Sequence, residues 1–232
     1  MPFVNRNDAG RKLAAALARY RGPDTVVLAL PRGGVPVAAE IARVLDAPLD
    51  LILVRKLGVP FQPELAMGAI VNGGSPLVVR NEHVIRAADI DEADFNSACE
   101  AELREIERRR DRYLGTRERV EIAGRTVIVV DDGIATGATM RAALRGIRLR
   151  RPKKLIVAVP VAAPDSLVEL QNEADDIICL ESYENFDAIG LYYRDFNQVS
   201  DSEVIEILHS FPARAERAAG QALVSPVLRR SR

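Results

Sequence analysis

The chain has 232 residues, 48% of them hydrophobic and 28% charged, with 32 Lys and Arg against 33 Asp and Glu. These are the values of a globular chain able to bury a sizeable core, which excludes wholesale disorder. A formal net charge of −1 excludes a protein built to coat nucleic acid, and the longest apolar runs fall far short of the roughly 20 residues a membrane span needs.

Arg11–Tyr20 reads as an amphipathic opening helix. Val26–Leu30 is an apolar strand, followed by a PRGG turn and a helix over Val35–Leu45. Leu49–Val54 reads as a second buried strand. Lys56 to Gly74 carries four of the 15 glycines and two prolines, so it is expected to be mostly loop, with a short strand at Ala69–Val71. Asp91–Tyr113 is a long helix whose apolar positions are Phe95, Ala98, Cys99, Leu103 and Ile106. Thr126–Val130 is a third strand, and a helix follows over Ala138–Leu149. Leu155–Val161, a helix near Asp165–Ala174 and a strand at Ile177–Leu180 complete the core, and Asp201–Leu208 is a last short helix. From Pro212 the chain mixes Ala, Arg and Ser-Pro without sustained periodicity and is expected to fray. Strands alternating with helices predict an α/β fold with a mostly parallel sheet flanked by helices.

The most specific signal is Val127 to Thr139, VIVVDDGIATGAT. A strand ends in two carboxylates, and a short loop of small and hydroxyl residues opens a helix. Peptide N–H groups at a helix start are unpaired, so Ala135, Thr136, Gly137, Ala138 and Thr139 would let a phosphate approach them closely. Asp131 and Asp132 are acceptors suited to a diol such as ribose. Phosphate and diol receptors this close together suggest a sugar phosphate; the bland alternative is a strand–turn–helix with Asp and Thr as caps. A second strand-into-glycine turn is LALPRGGVPVA, Leu28 to Ala38, in which Gly33 and Gly34 permit close backbone approach and Arg32 can pair with phosphate. A third segment, VRKLGVPFQPELAMGAI, puts Arg55 and Lys56 ahead of a Gly/Pro-punctuated stretch; its bland alternative is a solvated basic turn.

The first segment closely resembles the phosphoribosyl-diphosphate (PRPP) motif of type I phosphoribosyltransferases. Gly133 departs from it, an aliphatic residue being usual there. The second resembles that family's diphosphate loop. The third resembles the segment after the second strand in adenine phosphoribosyltransferase-like members, where an Arg-Lys pair leads into a mobile loop that closes over the site. The resemblance spans roughly Thr25 to Leu208. It implies a phosphoribosyltransferase-like sheet in a domain over 1–211, with the core at about 25–180, a small hood at about 181–211 drawing also on the N-terminal residues, and a tail at 212–232. It implies transfer of ribose-5-phosphate from PRPP to a nitrogen acceptor, a nucleobase, with release of diphosphate.

In that reading Asp131 and Asp132 hold the ribose hydroxyls and support Mg2+ through water, the 135–139 loop takes the 5′-phosphate, and Arg32, Gly33 and Gly34 meet the diphosphate. Arg55 and Lys56 stabilise its charge. Phe186, Tyr192 and Tyr193, in an aromatic-rich stretch after the last core strand, are candidates to stack on the base, although aromatics at this spacing also build cores. Hypoxanthine-guanine members commonly carry an Asp at the place of Ala135, so Ala there counts against that branch; adenine-type members tolerate Ala, and a xanthine, pyrimidine or non-nucleobase acceptor stays open. A sensor that binds PRPP without turnover, and an interaction module dimerising through the Asp91–Tyr113 helix, are the competing classes. No Walker A lysine and no G-x-G-x-x-G motif is present.

The remaining signals are structural. His83 and His209 lack metal-ligand spacing, and Cys99 and Cys179 fit apolar positions. Interleaved Arg and Glu between Glu102 and Arg112 read as a solvated, ion-paired helix face. Two cysteines make no disulfide framework, and MPFVNRNDAGRK shows no basic-then-apolar leader, so a cytoplasmic setting is expected. Beside the family resemblance, a homo-oligomer, a dimer, is expected, with neither nucleic acid nor membrane as partner.

Overall fold

A computed structural model describes residues 2–72 and 77–211. The expected fraying of 212–232 lies outside the described residues. Helix α1 (Arg6–Ala16) is followed by a 3-10 turn at Ala18–Tyr20, strand β1 (Thr25–Ala29) and helix α2 (Gly34–Leu45). Strand β2 (Leu49–Leu51) ends the first crossover. Strands β3 (Val54–Val59), β4 (Gln62–Val71) and β5 (Leu77–Arg80) come next, then α3 (Glu82–Ala87) and α4 (Glu92–Leu114). The second half runs β6 (Thr126–Val130), α5 (Ala138–Leu149), β7 (Lys154–Ala162), α6 (Pro164–Leu170), β8 (Asp176–Ser182), a 3-10 turn at Ile189–Tyr192 and α7 (Asp201–His209).

A five-stranded parallel sheet in the order β2-β1-β6-β7-β8 carries the core, and β3-β4-β5 form a separate antiparallel sheet. The parallel strands read as continuous apolar runs because helices cover both faces. Val127, Ile128, Val129 and Val130 are fully buried, with Val127 and Val129 in one apolar cluster and Ile128 and Val130 in the other. Each such side chain stabilises the fold by about 1.5–3 kcal/mol. Strands β1 and β6 pair in register from Thr25↔Thr126 to Ala29↔Val130, so the PRGG turn and the Asp-Asp turn leave the sheet side by side.

The structure departs from the sequence expectations in four places. The opening helix begins at Arg6, capped by the Asn5 side chain accepting from the Asp8 amide at 2.9 Å. The second strand stops at Leu51, and Val54 opens the other sheet. The helix after β7 is shorter than expected, ending at Leu170. The largest difference is at Lys56–Asn72: where mostly loop was expected, β3 and β4 pair from Val54↔Val71 to Val59↔Gln62, with register shifts around Gly58, and the expected strand at Ala69–Val71 is the end of β4; Gly73 and Gly74 lie outside the described residues. Leu57 and Val59 are fully buried while Lys56 and the tip residue Phe61 are exposed, an alternation that a hairpin against the core produces. The long helix α4 is as expected, with Asp91 as its N-cap and Phe95, Cys99 and Ile106 buried. Its outer face is ion-paired: Glu105 accepts from both Arg108 and Arg109, and those guanidiniums hold its carboxyl down at about 2. Among the described residues no helix is long and apolar enough to cross a membrane.

Candidate active site

The two turns meet at the carboxyl ends of β1 and β6, where ligands bind in open α/β sheets. The Leu30 amide donates to the Val130 carbonyl at 2.9 Å, extending the pairing into the loops. The Pro31–Arg32 peptide is cis. A Cβ on Gly33 would stand 2.5 Å from Asp132 Cγ, and one on Gly34 would stand 2.6 Å from the Val130 carbonyl oxygen. Only glycine lets the diphosphate-type turn lie this close to the acidic pair.

The two carboxylates occupy different surroundings. Asp132 is 7% exposed, and Arg6 Nε donates to its Oδ2 at 2.8 Å. Asp131 is half-buried, and its Oδ1 accepts the Asp132 amide at 2.9 Å. Burial, then the neighbouring Asp132 charge, push the Asp131 carboxyl well above the usual carboxylate range; the Asp132 amide and Arg6 offset this in part.

The loop after the acidic pair is anchored along the sheet edge. The Ile134 amide donates to the Val161 carbonyl at 2.9 Å, and the Ala163 amide donates back to the Ile134 carbonyl at 3.0 Å. Ser166 Oγ donates to the Ala135 carbonyl at 2.5 Å. Gly137 has φ +67°, a left-handed conformation that turns the chain into α5. No side chain caps α5, and its first turn holds no acidic residue, so its leading amides are open to an anion. Ala135, Thr136 and Thr139 are exposed there, with Gly137 and Ala138 half-buried. Gly133, the departure from the family pattern, has its physical counterpart in Ile189: a Cβ on Gly133 would stand 2.6 Å from Ile189 Cγ2. The aliphatic group at this place comes from a distant segment of the chain.

The cationic candidates are dispersed. Arg32 lies 3.6 Å from Asp201, which also accepts from Tyr113 at 2.6 Å and pairs with Arg112 at 2.9 Å. Arg55 is engaged by Glu102 of α4 at 2.5 Å, which raises its pKa. Lys56 is exposed in a cleft of about 360 Å3 whose other walls include Arg80, Ala138, Arg141 and Arg145, alongside the helix that the phosphate-type loop opens. Of the aromatic candidates, Phe186 and Tyr192 stack with ring centroids 5.0 Å apart and Tyr192 stacks on Tyr183 at 4.6 Å. Tyr193 is only 2% exposed and packs on Phe3 and Phe196, so its ring is a core element. Its hydroxyl donates to the Asp132 carbonyl at 2.6 Å, and burial pushes its pKa up.

Arg6, Ile189 and Asp201 escaped the sequence reading. Their contacts cross long stretches of chain, 126 residues between Arg6 and Asp132, and no local pattern marks them.

The phosphoribosyl transferase domain model matches residues 5–196, most of the chain, and the chain belongs to that family. Two Mycobacterium tuberculosis proteins, of strains CDC 1551 / Oshkosh and ATCC 25618 / H37Rv, are each 45% identical over 228 residues; both carry the phosphoribosyl transferase name provisionally. The match covers 98% of this chain but 51% of each relative, so the chain spans about half the length of the curated relatives it matches. The crystal structure of TT1426 from Thermus thermophilus is similar at TM-score 0.81 and 40% identity, covering 91% of this chain and 99% of that one.

Proposed function

We propose that this chain binds PRPP and transfers its ribosyl-5-phosphate to a nucleobase nitrogen, releasing diphosphate. Family membership supports PRPP-dependent transfer. The observation that carries the finer reading is the convergence of Gly33 and Gly34 on Asp131 and Asp132, beside a helix start without a side-chain cap. A phosphate on the 135–139 amides and a diol on the acidic pair fit one ligand. As the anomeric carbon–oxygen bond breaks, the bonding pair leaves with diphosphate, the acceptor nitrogen bonds to the same carbon, and its N–H proton passes to water. Charge builds on the departing group, where Arg32, Lys56 and the loop amides supply donors.

The donor set fits a hydrated Mg2+ carried on the diphosphate, since two adjacent carboxylates, one already paired with Arg6, suit water-mediated contact better than a full protein cage. Such an ion would neutralise the leaving polyanion. Ala135 supports an adenine-type acceptor over a hypoxanthine-guanine one. A hood over 181–211, a homodimer and a cytoplasmic setting complete the reading.

One observation favours the sensor as a second reading: the Arg55 guanidinium is engaged by Glu102 of α4, and diphosphate would have to compete for it. Incubating the protein with PRPP, Mg2+ and adenine, hypoxanthine, guanine, xanthine or uracil, and following diphosphate release, tests both. Base-dependent release is expected with adenine. Tight PRPP binding without release from any acceptor would replace the enzyme with the sensor.

A further inference from the structure

Arg6 is joined to the acidic pair by more than charge. Its Nε donates to Asp132 Oδ2 at 2.8 Å, its Nη1 donates to the Asn197 carbonyl at 2.8 Å, and its guanidinium lies 3.8 Å above the Phe196 ring. Phe196 packs on Tyr193, whose hydroxyl donates to the Asp132 backbone carbonyl at 2.6 Å. Asp132 is therefore gripped at its side chain from the N-terminal helix and at its backbone from the 193–197 segment. Phe3 ties the two grips together: its amide donates to the Tyr192 carbonyl at 3.3 Å and its carbonyl accepts from Arg194 at 3.0 Å. Gly33 also lies against the Asp132 carboxylate.

We propose that Arg6 is a positioning residue: it fixes the Asp132 carboxylate and latches the 193–197 segment onto the acidic pair. The expected effect on PRPP affinity rests on the PRPP reading; the latch does not. A guanidinium suits this role because its planar fork serves two acceptors while its face stacks on a ring, which a lysine ammonium cannot do together. A simple brace of the N-terminus would predict lost stability when Arg6 is changed, but no dependence of that loss on Asp132.

The test uses Arg6→Gln, Asp132→Asn, the double variant and the milder Arg6→Lys. Hydrogen exchange at residues 193–198 is expected to be about tenfold faster in each single variant and no faster still in the double, the mark of one shared interaction. Calorimetric affinity for PRPP with Mg2+ is expected to fall about tenfold in Arg6→Gln, to recover only in part in Arg6→Lys, and to fall no further when Asp132→Asn is added. Unchanged exchange in Arg6→Gln and Arg6→Lys, or losses that add in the double variant, would overturn the latch. Non-additive exchange across the variants, together with a wild type that binds no PRPP, would keep the latch and remove the phosphoribosyl reading instead.

Discussion

Two glycine-punctuated segments of this chain, 131–139 and 54–71, look alike in sequence and fold differently. In the first, Gly137 at φ +67° turns a buried strand into an uncapped helix, and the residues between remain a loop. In the second, a Cβ on Gly58 would stand 2.5 Å from the Pro63 carbonyl, and one on Gly68 would stand 2.7 Å from the Val79 carbonyl. There glycine serves close strand approach at an irregular register, within a continuous ladder. Glycine thus marks a backbone demand without saying which one. The alternation of flanking side chains decides between turn and strand.

The greatest effect should come from removing the closest approach in the first segment. Gly33→Ala would drive a methyl into Asp132 and part the two turns. It is expected to lower stability by about 1–3 kcal/mol and to abolish measurable PRPP binding. Thermal melts and calorimetry check both, and a variant that binds normally would show that the turns need not touch.

Lys56→Ala probes the second segment. If Lys56 meets charge that develops in the transition state, single-turnover transfer falls roughly 10²–10³-fold while PRPP affinity changes far less. Equal losses would make Lys56 a binding residue alone.

Smaller effects sharpen the account of the loop. Gly133→Ala should destabilise by about 1–2 kcal/mol through the clash with Ile189, and adding Ile189→Ala should return much of that loss. Additive losses in denaturant titrations would mean that Ile189 does not stand in for the aliphatic group.

The smallest expected effect concerns pH. The raised Asp131 pKa makes a stability contribution that is fully present below its unfolded value of about 3.9 and is lost as pH rises through its folded value. Asp131→Asn escapes that loss, so its Tm should rise relative to wild type as pH increases above about 4. A difference that shrinks with rising pH would reverse the assignment.

How far the sequence carried the reading follows the same divide. The strands of the parallel sheet were legible because both faces are buried, so each appears as an unbroken apolar run, and α4 and α5 because their stripes repeat at helical spacing. The Asp-Asp loop was legible because its function needs residue types in a short fixed order. The hairpin was not, since Gly58, Pro60, Pro63 and Gly68 weigh as loop residues while the informative feature is the burial of Leu57, Val59 and Met67 on one side. Arg6 could not be found at all from sequence: its partners, Asp132, Phe196 and Asn197, are assembled only by packing the two ends of the chain together.

The central claim is that the two turns, brought together by β1 and β6, form one PRPP site. Isothermal titration of PRPP with Mg2+ into wild type and Asp131→Asn tests it most directly. Exchanging the carboxylate for an amide keeps shape and removes a charge-assisted acceptor, a loss of about 1–3 kcal/mol. The account predicts binding to the wild type and at least a severalfold weaker affinity in the variant, with both proteins folded. Absence of binding to the wild type, or equal affinity in the two proteins, would contradict it.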